Sequence, residues 1–202
     1  MIEETQSKKG ERTRTDILEA AHRLFLENGF HGTSMRQIAQ EAGIALGAAY
    51  NHFPSKEDIF LEVLMAHHPI NDLLPALEAA QGETIEEFIR DAAYRMVENF
   101  GERMDFLNMM FIELVEFKGQ HLTGLFQSIF PRILGFTQRF LQNHQGLRDI
   151  PTPILLRAFI GLFFSYVMTE ILISKNLPPE MQEGALDYFV DIFLHGVMAE
   201  GS

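Results

Sequence analysis

Between Arg14 and Leu64 the chain breaks into short apolar-striped helices separated by glycine and proline stops, a pattern that admits little except a small helical head. Ile17, Ala20, Ala21, Leu24 and Phe25 recur at helical spacing and predict a first helix from about Arg14 to Asn28. Gly29 supplies the left-handed residue that ends it, with Phe30 behind as the hydrophobic stop contact. Ser34 and Gln37 form a capping-box pattern for a second helix whose Met35, Ile38 and Ala39 face inward, and Gly43 marks the next turn. A third, short helix spans about Leu46 to His52 and stops at Phe53 and Pro54, because proline disfavours helical geometry in the residue before it. Ser55 opens a fourth, with Glu57 and Asp58 in its first turn where the helix dipole favours them, reaching Pro69 or beyond with a break there.

The remainder reads as five more helices. Thr84 with Glu87 caps one ending near Phe100; another runs from Asp105 to Phe117 and stops at Gly119. A third covers about Leu122 to Asn143, bent at Pro131. Thr152 with Pro153 opens a long apolar helix to Leu177, and Pro178 and Pro179 separate it from a last helix ending near Met198. Alternating apolar and polar runs are missing, so the fold class is all-α with about nine helices. Residues 1–54 are expected to form a three-helix head, with 1–11 a flexible N-terminal arm, and residues 55–202 a helical bundle.

Charge restricts where a polyanion could bind. The net charge of -12 argues against a chain that coats nucleic acid non-specifically, but seven basic and five acidic residues from Lys8 to Lys56 give a local balance of +2. From Leu61 onward nine basic and nineteen acidic residues give -10, so any DNA contact belongs to the N-terminal part. With no cysteine, disulfides and thiol chemistry are absent, which fits a reducing cytoplasm. The polar first twelve residues exclude a signal peptide's apolar segment. The stretch Ile154 to Ile173 has a membrane span's length but carries Arg157 and Glu170, so a helix buried against protein is the expectation.

Three short helices with a glycine turn between the second and third fit a helix-turn-helix. The residues go further: AHRLFLENGF in the first helix, TSMRQIA opening the second, the AGI turn, and YNHFPSKED closing the third and opening the fourth. In order and without gaps, these closely resemble the DNA-binding domain of the TetR (tetracycline repressor) family over Thr13–Leu64, about a quarter of the chain. The resemblance implies a ligand-responsive DNA-binding transcriptional regulator, most often a repressor, whose later helices bind ligand and dimerise. It also implies phosphate contacts for Tyr50, His52 and Lys56, a backbone contact for Ser34 and a base contact for Arg36. Arg36 can pair bidentately with guanine. Gly47, Ala48 and Ala49 are small enough to lie close to a groove wall. The chain departs from the family where Ser, Lys and Thr are frequent: it has Ala45, Leu46 and Ala48. Alanine is a poor N-cap, and Leu46 and Ala48 can read only thymine methyls and shape, so specificity is expected to lean on Arg36, Asn51 and indirect readout.

The body is read directly. Its Phe100, Met104, Leu107, Met110, Phe111, Phe126, Phe130 and Phe163 come from a set of eighteen Phe and ten Met that suits an adaptable apolar cavity, although the same spacing also describes plain core. Glu113, Tyr166 and Glu170 are the candidates for orienting a hydrophobic or amphipathic effector. The last two helices are apolar over too much of their circumference for one monomer: Leu156, Ile160, Phe163, Phe164, Val167 and Ile171 on one, Leu186, Phe189, Val190, Phe193, Leu194 and Val197 on the other. A homodimer packed as a four-helix bundle would bury that excess and pair the two recognition helices. His67, His68 and Asp72 lie close in sequence but lack a third ligand at metal spacing; no metal or cofactor is expected. No nucleophile elbow or phosphate-binding glycine loop is present, so catalysis is not expected. The rival reading is a ligand-binding or scaffold protein whose head no longer reads specific DNA, motivated by the apolar Ala45, Leu46 and Ala48.

Overall fold

A computed structural model describes the backbone of residues 2–101, 104–141, 148–173 and 176–197. All described regular structure is helical: α1 (Ile2–Asn28), α2 (Met35–Glu41), α3 (Leu46–His52), α4 (Lys56–Ala66), α5 (Ile70–Glu78), α6 (Ile85–Gly101), α7 (Met104–Glu116), α8 (Leu122–Leu141), α9 (Thr152–Ile173), a 3-10 turn at Pro179–Met181, and α10 (Ala185–Val197). The fold class is as the periodicity predicts.

The local stop signals act where they stand. Gly29 and Gly43 adopt left-handed backbone, φ +72 and +68, after α1 and α2. Ser34 Oγ accepts from Gln37 N–H while the Gln37 side chain accepts from Ser34 N–H, a complete capping box. Ala45 caps α3 with no side-chain hydrogen bond, as its methyl dictates. Pro69 divides the expected fourth helix into α4 and α5. One helix start differs. α1 begins at Ile2 rather than near Arg14, so the segment 2–11 expected as an arm is helical. Its polar residues give no apolar stripe to read, but none of them breaks a helix outright.

The chain divides into two compact units, residues 1–68 with 105–125, and 69–104 with 126–202. The first therefore extends beyond the expected boundary at 54. Its core joins Ile17, Phe25, Ile38 and Phe53 to Ile59, Phe60 and Leu64 of α4 and to Phe106 and Met109 of α7. Burying so many large apolar groups makes the three short helices stable together where none would be alone. Phe60 is the hub: its ring lies 5.5 Å from Phe25, 5.6 Å from Phe30 and 4.8 Å from Phe117.

In the second unit α5, α6, α9 and α10 share a core of Leu77, Ile89, Met96, Phe163, Val190 and Phe193. Arg90 of α6 donates to Asp187 and Asp191 of α10 at 2.8 and 2.6 Å. Part of the apolar surface of α9 and α10 remains outside this core: Ile154, Phe164 and Leu172 on α9 and Tyr188 and Ile192 on α10 are exposed, the last two 68% and 64%. α9 is long and apolar enough to cross a membrane by length and composition; Leu155, Phe163 and Val167 lie in this core, but only 22% of its apolar window is buried, less than the expected helix packed against protein.

Candidate nucleic-acid interface

α2 and α3 are held from below by Met35, Ile38, Ala39 and Ala49, which leaves their opposite sides to solvent. On α3, Leu46, Gly47, Tyr50 and Asn51 are exposed and share one arc of the helix, with Leu46 41% and Tyr50 50% accessible. Ala45 at the cap is exposed, while Ala48 and His52 are half-buried at the edge of that arc. Ser34 and Arg36 are exposed at the start of α2. Seven of the ten candidates are thus exposed around the two short helices, and half-buried His52 is fixed by its backbone. Arg14 of α1 donates to the His52 carbonyl at 3.2 Å, lies 4.2 Å over the Phe53 ring, and pairs with Glu62 of α4. A guanidinium there satisfies a carbonyl at the negative end of α3 and ties three helices together.

Lys56 is placed differently from the other candidates. Its ammonium donates to the carbonyls of Phe30 and Thr33, both at 2.5 Å, and sits 4.1 Å over the Phe30 ring. Burial lowers its pKa while the Glu116 charge opposes that shift. In this structure Lys56 anchors the α1–α2 turn, as the buried Thr33 also does, its hydroxyl shared between the Leu24 and Gly29 carbonyls at 3.1 and 2.9 Å.

The sequence reading missed Glu116 and His121. Glu116 Oε1 accepts from Phe30 N–H at 3.0 Å and Oε2 from His31 N–H at 2.7 Å. Glu113, fully buried, accepts from His121 N–H at 2.8 Å and faces His121 Nδ1 at 2.9 Å, while His121 Nε2 lies 2.8 Å from Glu57 at the start of α4. Both ring nitrogens face carboxylates, so the doubly protonated imidazolium is the form that satisfies them. Burial disfavours that charge, but the hydrogen bonds and charges of Glu113 and Glu57 outweigh it and the pKa of His121 is raised. One signal was available: Glu113 and Glu116 occupy the last turn of α7, where the dipole disfavours acids and no base offsets them. Acids there call for partners from elsewhere.

The candidate pocket residues are distributed over both units. In the first, Leu107 is buried, Met110 half-buried and Phe111 exposed, and Glu113 turns its carboxylate to His121. In the second, Phe163 is in the core, Tyr166 packs 5.1 Å from Phe189, Glu170 is half-buried, and Phe126 stacks on Phe130 at 4.7 Å. Met104 is exposed, and the Phe100 side chain lies outside the described residues. Among the described residues no group of three or more ligands could hold a metal ion.

Comparison with known proteins agrees with the head's geometry. Residues 17–63 match the family described as bacterial regulatory proteins, tetR family. The chain is 28% identical to the HTH-type transcriptional regulator SrpR of Pseudomonas putida over 194 residues, 90% of this chain and 85% of that protein. It is 45% identical to the regulator UidR of Escherichia coli K12 over 53 residues, 26% of this chain and 27% of that one. The fold is shared with the flavonoid-responsive regulator FrrA at TM-score 0.71 and 24% identity, covering 95% and 100% of the two chains. The helix-turn-helix, its placement and these likenesses together identify residues 17–63 as a DNA-binding domain of the tetR type, in a chain similar to DNA-binding transcriptional regulators over most of its length.

Proposed function

We propose that this regulator is a homodimeric repressor released from a palindromic operator by a hydrophobic or amphipathic small molecule, acting in the cytoplasm. The observation that carries the reading is the shared exposed arc of α3, with Arg36 beside it on α2. Ser34, Arg36, Ala45, Leu46, Gly47, Ala48, Tyr50, Asn51 and His52 are the proposed DNA contacts, with Arg36 reading a base and Tyr50 and His52 meeting phosphate. Lys56 reaches phosphate in this reading only by leaving the Phe30 and Thr33 carbonyls. The exposed apolar residues of α9 and α10 support pairing of two chains through these helices, which would also cover the surface that membrane-like hydropathy leaves open. The eighteen Phe and ten Met of the chain support an apolar effector, and FrrA is described as flavonoid-responsive. A planar aromatic compound is therefore the first effector class to test. Ligand binding would shift the population between two arrangements of the head pair, and coupling of about 1–3 kcal/mol suffices.

Selection of bound fragments from random-sequence DNA tests this. An enriched inverted repeat with half-sites roughly 34–36 Å apart is expected, as is a loss of about 1–3 kcal/mol in discrimination on Arg36→Ala. No enriched repeat would leave the ligand-binding scaffold as the better reading. Ile192→Asp should convert the dimer to a monomer in light scattering, and flavonoids should raise the thermal midpoint of the wild type.

A further inference from the structure

The polar contacts around Phe30, Phe60 and Phe117 form a closed ring. Glu116 of α7 holds the N–H groups of Phe30 and His31, and Lys56 of α4 holds the carbonyls of Phe30 and Thr33. The next residue, Glu57, meets His121, and His121 returns to Glu113 one turn before Glu116 on α7. Phe117 fills the middle, 4.4 Å from Phe30. We infer that Glu116 is a positioning residue for DNA reading: it fixes the α1–α2 turn, and through it the first turn of α2 that carries Ser34 and Arg36.

Several observations point the same way. In the turn 30–33, the N–H groups of Phe30 and His31 and the carbonyls of Phe30 and Thr33 are bonded by two side chains of opposite charge from helices remote in sequence, Glu116 lying 86 residues from Phe30 and Lys56 lying 26. Charge-assisted bonds of this kind are shorter and stronger than neutral ones and hold a backbone that no helix ladder holds. A Cβ at Gly29 would lie 2.6 Å from Glu116 Oε1, so the carboxylate occupies space that a side chain there would enter. Thr33 is the last anchored residue, and Ser34 immediately after it is the cap of α2. A shift of α7 along its axis would therefore drag the turn and rotate Arg36, whereas a shift of α4 would act through Lys56 and Glu57. The inference rests on α2 and α3 meeting the duplex.

The test uses the full chain with Glu116→Ala, Glu116→Gln and Glu116→Asp. The probes are the duplex that the wild type selects from random-sequence DNA and the same duplex with scrambled half-sites. Glu116→Ala should accelerate amide exchange in residues 29–34 and lower the ratio of selected to scrambled binding about tenfold, with scrambled binding unchanged. Glu116→Gln, keeping shape but not charge, should fall between, and Glu116→Asp should restore part of the ratio. A merely structural role would lower the thermal midpoint and weaken both duplexes together, and that result overturns the inference. So does an unchanged ratio alongside faster exchange. If the wild type selects no duplex, the DNA-reading assignment of α2 and α3 falls and takes this inference with it. A selecting wild type with indifferent variants removes the inference alone.

Discussion

Phe117 should matter to helices that precede it by many dozens of residues. Its ring is half-buried and touches Phe30, Phe60 and His121, at 4.4, 4.8 and 4.7 Å between centroids. Truncating a fully buried phenylalanine costs about 3–5 kcal/mol. With part of the ring already in water, the lost transfer and edge contacts in Phe117→Ala come to about 2 kcal/mol. That corresponds to roughly a 30-fold rise in the opening constant of the first unit, since about 1.4 kcal/mol is tenfold. Hydrogen exchange under conditions where it reports opening equilibria should show this in peptides from α1 and α4, with peptides from α10 as internal reference. Phe60→Ala, removing a ring with no exposure, serves as the upper mark at about 4 kcal/mol. If Phe60→Ala has its full effect while Phe117→Ala changes α1 and α4 exchange less than about twofold, α7 is no part of the head core and the two-segment unit is wrong.

Ala45→Ser supplies the missing cap of α3 and should raise stability by about 1 kcal/mol, read as an upward shift in the thermal midpoint. His121→Asn should remove a pH dependence. Because the folded pKa of His121 is raised above 6.5, its stabilisation is fully present below that value and is lost as pH rises through the folded pKa. The midpoint advantage of wild type over the variant should accordingly be larger at about pH 6 than at about pH 9, and a gap that widens with pH would contradict the Glu113 and Glu57 contacts. Lys56→Met separates its two roles. As a turn anchor its loss should lower selected-duplex binding and leave the salt slope intact, whereas a direct phosphate contact would weaken all duplexes and reduce the slope by about one.

What was legible in the sequence was what is decided locally. Gly29, Gly43, Pro54 and Pro69 act through their own backbone preferences, and Ser34 with Gln37 through a three-residue reach, so those boundaries could be read without tertiary information. Ala49, expected with Gly47 and Ala48 against the groove, is instead the buried residue of α3, because small size alone does not tell which side of a short helix faces the core. Long-range pairing was not legible. Nothing near Glu116 announces that its partner N–H groups lie 86 residues earlier, and the stripe of α7 reads equally well as part of a body core. Lys56 shows a further limit: a cation just after α3 is chemically ready for phosphate, and only the direction of its side chain reveals that two carbonyls and a ring have taken it. The start of α1 was missed because residues 2–13 lack the apolar periodicity on which helix reading depends.

The family match ends at residue 63, but the unit built on it draws in residues 105–125. Anyone grafting this DNA-binding head onto another body by cutting just after α4 would leave behind Phe117, the Glu116 carboxylate and the imidazole facing Glu57. A transplant meant to keep the unit's packing has to carry both stretches of chain, or rebuild the second one in the recipient.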